Sequence, residues 1–256
     1  MLTEIERYLF DVNGYMTIPN ALSAEQVSAI NRLMDEKLKE HATPNADNIS
    51  FSNVLAWRGP MIDLIDNPKV TVCLEEICGP NFRLDHNYAF NLRPGFKDGG
   101  AYILHGGAIP FEPNHHYGVY DGKVYGAEVA VVYLLNDVNP GDGGFGCVPG
   151  THRSNFKIPE EFRDLRKPQP AVKQVTGTAG TAILFTETLA HGTIPWVGKR
   201  DRRAIFYKYT PNCIGLSELF LDDVAASWPE LTRRQREILE APNVRSKDRK
   251  RLQAYL

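Results

Sequence analysis

The stretch Phe185-Thr186-Glu187-Thr188-Leu189-Ala190-His191-Gly192-Thr193 places a histidine shortly after an apolar, strand-like run that begins at Thr181. Ile103-Leu104-His105-Gly106-Gly107 repeats the arrangement earlier in the chain. Arg202 follows His191 by eleven residues and heads a further run, Ala204 to Tyr209. Working outward, short apolar runs recur at Phe82 to Leu92, Ala101 to Leu104, Val124 to Val138, Phe145 to Val148 and Ala171 to Val175. Turns such as Pro140-Gly141-Asp142-Gly143-Gly144 and Pro149-Gly150-Thr151-His152 separate them. Many short strands at regular spacing predict a mainly β sandwich or jelly roll with helices packed outside, an α+β composition.

The helices fall at the two ends. Residues 3–11 read as a short helix with Ile5, Leu9 and Tyr8 inward. Ser23-Ala24-Glu25-Gln26 is a capping box that opens a helix carrying Val27, Ile30, Met34 and Leu38 at helical spacing. Residues 42–58 are polar and turn-rich and read as a surface loop. A helix from Asn67-Pro68 stops at Gly79-Pro80, and residues 217–225 and 230–240 are helical again. One domain over 1–256 is expected: a helical part over 1–80, a jelly-roll core over 81–210 and C-terminal helices over 211–256. Between Arg233 and Arg251 stand eight Lys or Arg against three acids, which reads as a solvated helix face.

The bulk composition excludes several classes. A net charge of −2 over 256 residues gives no global attraction to nucleic acid or to an anionic membrane. The longest apolar run, Ala127 to Leu135, is too short to span a bilayer. Met1-Leu2-Thr3-Glu4-Ile5-Glu6-Arg7 lacks the basic and apolar regions of a signal peptide. Cys73, Cys78, Cys147 and Cys213 form no Cys-x-x-Cys pair, so buried thiols are expected in a reducing, cytoplasmic setting.

Two histidines from distant strands plus a fixed cation suit an iron(II) site that also holds a dicarboxylate. The chain resembles the phytanoyl-CoA dioxygenase family of iron(II)- and 2-oxoglutarate-dependent oxygenases. The resemblance runs through Phe10-Asp11-Val12-Asn13-Gly14-Tyr15, Asn91-Leu92-Arg93-Pro94-Gly95, Gly141-Asp142-Gly143-Gly144-Phe145, Val148-Pro149-Gly150-Thr151-His152 and Gly180-Thr181-Ala182-Ile183-Leu184-Phe185, then His191-Gly192-Thr193, Arg202 and Tyr209. It implies a cupin-like double-stranded β-helix, iron(II) as cofactor, 2-oxoglutarate and O2 as co-substrates and a small organic substrate. It also implies His105 and His191 as metal ligands and Arg202 with Thr193 on the far carboxylate of 2-oxoglutarate. Asn91 lies where a polar residue can face that co-substrate. His115 and His116, in the loop after the first histidine, are candidates to replace a ligand or to contact substrate. His152 belongs to a structural turn, and His41 and His86 carry no argument.

The departure is Gly107, where the family has Asp in its His-x-Asp motif. Glu187, four residues before His191, is the candidate replacement ligand; Asp121 and Glu128 belong to another segment and rank behind it. Related halogenases carry Gly or Ala at this position and bind chloride there, a pattern that His105-Gly106-Gly107 matches. A chain that has lost iron and only binds a ligand is the third reading, against which the joint presence of His105, His191, Thr193 and Arg202 argues. The resemblance as a whole implies hydroxylation of a small molecule, with release of succinate and CO2.

Overall fold

The computed structural model describes residues 2–95, 102–217, 221 and 226–243. Helix α1 (Glu4–Asn13) leads into β1 (Tyr15–Ile18), and α2 (Ala24–Glu40) follows. After β2 (Asn48–Ser52) comes α3 (Pro68–Ile77), then β3 (Arg83–Leu92), the hairpin β4 (Tyr117–Tyr120) and β5 (Lys123–Gly126), and β6 (Val129–Leu134). Strands β7 (Gly144–Cys147), β8 (Lys173–Gln174), β9 (Ala182–Thr186), β10 (His191–Ile194) and β11 (Arg202–Thr210) complete the β part, and α4 (Arg233–Leu239) comes last.

Six strands form one antiparallel sheet in the order β1-β9-β6-β11-β3-β2, and β10-β7-β8 form a second. Strand alternation sorts the large sheet's side chains into two cores. Ile205, Tyr207 and Tyr209 of β11, with Val129, Val131 and Tyr133 of β6, face the helices. Ala204 and Phe206, with Ala130, Val132 and Leu134, face the small sheet together with Phe145, Phe185 and Trp196. The phenolic hydroxyls of Tyr207 and Tyr209 donate to carbonyls of Met61, Leu64 and Ile65, which ties the 3-10 turn Gly59–Leu64 to the sheet. This is the expected double-stranded β-helix with an outer helical layer.

Local sequence explains the helix starts. Thr3 with Glu6, Ser23 with Gln26 and Thr232 with Gln235 each form a reciprocal capping box, and Gly14 ends α1 in the left-handed region. Three local expectations change. Ile5, Tyr8 and Leu9 are exposed, because α1 is anchored through Phe10, whose ring meets Tyr117, and through the Arg7–Glu76 ion pair. Residues 42–58 are not all loop: β2 pairs with β3, and Val54 and Leu55 are buried. Residues 102–105 make isolated bridges rather than a strand, Ile103 with Asp164 and His105 with His191. The glycine-rich segment Asp98-Gly99-Gly100, expected to be mobile, most of the helix expected over 217–225 and the basic tail past 243 lie outside the described residues. No described helix is long and apolar enough to cross a membrane. All four cysteines are free thiols, three buried and Cys213 exposed.

Candidate active site

His105 and His191 are brought together by backbone. Each amide donates to the other's carbonyl at 2.9 Å, and the two rings lie with centroids 4.2 Å apart. The approach depends on Gly106. Its φ is +80°, and a Cβ there would stand 2.5 Å from the Leu189 carbonyl oxygen and 2.8 Å from that of Glu187. Each imidazole is oriented by the carbonyl two residues before it, with Nδ1 3.1 Å from the Ile103 carbonyl for His105 and 2.7 Å from the Leu189 carbonyl for His191. That arrangement puts the proton on Nδ1 and leaves both Nε2 lone pairs free, as in a metal-ligating histidine whose other ring nitrogen donates to a carbonyl. Burial, reinforced by the neighbouring His105 and Lys208, pulls His191 down to about 4 against the opposing pull of Glu187, so its ring is neutral at pH 7.

Glu187 reaches the same place. Its Oε2 is 3.8 Å from His191 Nε2, while Oε1 is ion-paired with the Lys208 ammonium. Burial would raise this carboxyl, but Lys208 and His191 more than offset it and hold it at about 2. Lys208 is held above the ordinary lysine range despite its burial, chiefly by Glu187, with Tyr88 and Glu128 contributing. Lys208 was not anticipated from the sequence, although strand alternation from Arg202 through Ala204 and Phe206 places it on the same inner face.

Gly107 has φ +96°, and the atoms nearest a Cβ there belong to Ile158 and the Ile109 carbonyl. A side chain at 107 would therefore start toward the Ile158 loop. Among the described residues, His105, His191 and Glu187 do not bring three ligand atoms within 4.8 Å of one another; Glu187 and His191 alone meet at 3.8 Å, so the distance that fails involves His105.

Arg202 begins β11 and is 2% exposed, with Nε lacking any hydrogen-bond partner. It packs against Gly144, whose absent Cβ would lie 3.3 Å from that Nε. Burial lowers Arg202 to about 10, still charged at neutral pH. Thr193 lies on β10 two residues past His191, on the same side of the strand, next to the Ile194–Gly144 pair. An unpaired buried guanidinium nitrogen fits a carboxylate, and two oriented imidazoles fit a transition metal.

Two residues expected at the site face elsewhere. Asn91 is on the opposite face of β3, paired with Arg203; its amide donates to Asp201 and its carbonyl oxygen accepts from Arg203 Nε. His116 turns to the Pro113 carbonyl and lines a separate cavity between α3 and the β4–β5 hairpin. His115 is near: its Nε2 lies 3.3 Å from Glu128 Oε2, its carbonyl accepts from Thr188, and the hydrogen bond with Glu128 raises its pKa despite partial burial. His152 is structural as expected, packed edge-on to Tyr117, its Nε2 on the Asp11 carbonyl, and lowered to about 4 by burial.

A double-stranded β-helix with two paired imidazoles and a buried arginine whose Nε has no partner carries the histidine part of the 2-His-1-carboxylate set that non-haem iron oxygenases use. Residues 10–204 match the phytanoyl-CoA dioxygenase (PhyH) family, and the chain belongs to that family of iron(II)- and 2-oxoglutarate-dependent oxygenases. It is 25% identical over 229 residues to an ectoine dioxygenase of Nocardia farcinica, covering 77% of this chain and 74% of that protein. It is also 25% identical over 215 residues to one of Sphingopyxis alaskensis, covering 72% and 68%. Its fold is similar to that of HygX from Streptomyces hygroscopicus with nickel and 2-oxoglutarate bound, at TM-score 0.75 and 21% identity over 84% of this chain and 89% of that one. The non-heme alpha ketoglutarate dependent carbocyclase SnoK follows at TM-score 0.61 and 17% identity, over 82% and 85%.

Proposed function

We propose that this chain, as a single cytoplasmic domain, hydroxylates a small organic molecule at the His105–His191 pair. Iron(II) would be held by those two histidines with Glu187 as the protein carboxylate, and 2-oxoglutarate by Arg202 and Thr193. When bound, iron(II) and 2-oxoglutarate supply the O2-dependent oxidation and leave succinate and CO2 behind. The chain's own residues do the rest. Ile103 and Leu189 carbonyls fix the two tautomers; Lys208 fixes one Glu187 oxygen and leaves the other toward His191; Phe145 and Phe185 pack against His191 and exclude water. Relatives named as ectoine dioxygenases, and a structural neighbour with hygromycin B bound, support a small-molecule substrate.

The observation that carries this reading is the buried Arg202 nitrogen without a partner, on the same sheet face as Lys208. The test is anaerobic titration with iron(II) and 2-oxoglutarate. A visible charge-transfer band is expected in the native chain, and its absence would refute the reading. Glu187→Ala should weaken iron binding at least tenfold; unchanged affinity, with a band that shifts on adding chloride, would transfer the reaction to the halogenase class.

A further inference from the structure

Strands β3 and β11 pair in register until His86 faces Lys208, and the next pair is Leu84 with Tyr209. Asp85 is therefore the extra residue of a β-bulge. In a regular strand Asp85 and His86 would point to opposite faces; a bulge re-aims one of them. His86 Nδ1 consequently lies 2.9 Å from Asp85 Oδ2 and 3.7 Å from Glu128 Oε1. One ligand atom from each of the three lies within 4.8 Å of the others, the arrangement that the His105 pair and Glu187 do not reach.

The second observation is at Glu128. It is 4% exposed, and Oε1 has no hydrogen-bond partner, while Oε2 faces His115. A buried carboxylate oxygen with no donor is costly, and a cation in front of it removes the cost. Asp85 is braced from behind by Arg83 and by the amides of Leu216 and Ser217, the support a metal ligand receives from its surroundings. Asp85 and His86 also line a cavity of about 560 Å³ with Ser50, Ser52 and Tyr88, which gives solvent or ligand access.

We propose that Asp85, His86 and Glu128 form a divalent-cation site of mixed oxygen and nitrogen donors, distinct from the His105–His191 pair. Donor separations of roughly 3 to 3.5 Å are what ions with ligand bonds near 2.1 Å impose, close to the two distances from His86. An organic ammonium holds its acceptors about 2.8 Å from nitrogen and so roughly 4.5 Å from one another, wider than the 2.9 and 3.7 Å found from His86 Nδ1, which when protonated donates to Asp85. A metal ion displaces that proton and takes the lone pair. The mixed set suits manganese, iron or zinc.

The experiment is equilibrium dialysis of the chelator-treated full chain against manganese(II), read as ions per chain. Two ions are expected in the native chain. Glu128→Gln and His86→Ala should each remove one, and His191→Ala should remove the other. Far-UV circular dichroism and melting confirm that each variant is folded, and His86→Ala, at a partly exposed position, serves if Glu128→Gln is not. Native counts in both Glu128→Gln and His86→Ala overturn the proposal. A single ion that is lost with Glu128→Gln but kept in His191→Ala supports it while refuting the reading of the histidine pair.

Discussion

Lys208 closes an ion pair with Glu187 inside the sandwich, with side chains only 6% and 11% exposed. The carboxylate nearest the histidine pair is thus fixed by a lysine from β11, two strands across the sheet from β9. Removing one partner strands the other: Lys208→Met leaves a buried carboxylate unpaired and should cost about 3–5 kcal/mol in chemical denaturation of the metal-free chain. The double variant Lys208→Met with Glu187→Gln should recover a good part of that loss. If it is no more stable than Lys208→Met, the pair is not the source of the effect.

The histidine bridge yields a contrast between adjacent glycines. Gly106→Ala drives a Cβ into two carbonyl oxygens, so it should separate the histidines, abolish high-affinity metal binding and destabilise by roughly 2–4 kcal/mol. Gly107→Ala meets the movable end of Ile158 at 3.4 Å and the Ile109 carbonyl oxygen at an ordinary 4.0 Å. Its cost is the left-handed backbone, ~1–2 kcal/mol. Gly107→Asp should not rebuild a His-x-Asp ligand set, because the side chain starts toward Ile158. A metal-affinity titration across the three variants separates these outcomes.

How much of this was legible follows from where the information sits. Val129-Ala130-Val131-Val132-Tyr133-Leu134 reads as a strand because both its faces are buried. The Ser23–Gln26 box and the two histidine segments are equally local signals. Lys208 was missed because a lysine among apolar residues reads as solvent-facing, although its period-two spacing from Arg202 predicts the inner face. Asn91 failed for a related reason: its face depends on pairing with Arg203, which the sequence does not display. The bulge at Asp85 is likewise a property of two strands in register, so no single segment reveals it.

Asn91 gives a clean separation of structure from function. It holds Arg203 and Asp201 on the helix side of the sheet, and Arg203 continues to Asp35 of α2. Asn91→Ala should lower stability by about 1–2 kcal/mol through the lost hydrogen bonds. It should leave the 2-oxoglutarate dissociation constant within twofold of native. A tenfold loss of affinity would restore Asn91 to the co-substrate site.

Two buried imidazoles make stability depend on pH. His191 and His152 titrate near 4 in the folded chain, against 6.5 for an ordinary histidine. The unfolded chain therefore takes up protons first as pH falls. Both contributions are intact above pH 6.5 and are lost between 6.5 and about 4, each histidine adding up to ~1.4 kcal/mol per pH unit to the slope. Glu187 extends the loss below pH 4.5, since its carboxyl is ionised in the folded chain down to about 2. Denaturant melts of the metal-free chain at pH 7, 6, 5 and 4.5 should show this decline, and His152→Gln should remove about half of the slope between 6.5 and 4.5. A flat profile over that range would mean that the rings titrate in the fold as they do in the unfolded chain.

Arg202 offers the sharpest test, because its two roles oppose each other. Its charge is buried and its Nε unpaired, so the free chain carries a desolvation cost that bound dicarboxylate would relieve. Arg202→Met should raise the stability of the ligand-free chain by about 1–3 kcal/mol and remove the stabilisation that millimolar 2-oxoglutarate gives the native chain. Thermal melts with and without 2-oxoglutarate read both effects in one experiment. Arg202→Lys keeps the charge but not the planar fork, and should retain the ligand shift only in part. A Met variant that is less stable when ligand-free, yet still shifts with 2-oxoglutarate, would assign the arginine to packing and leave the co-substrate to another cation, of which Lys208 is the candidate on the same face.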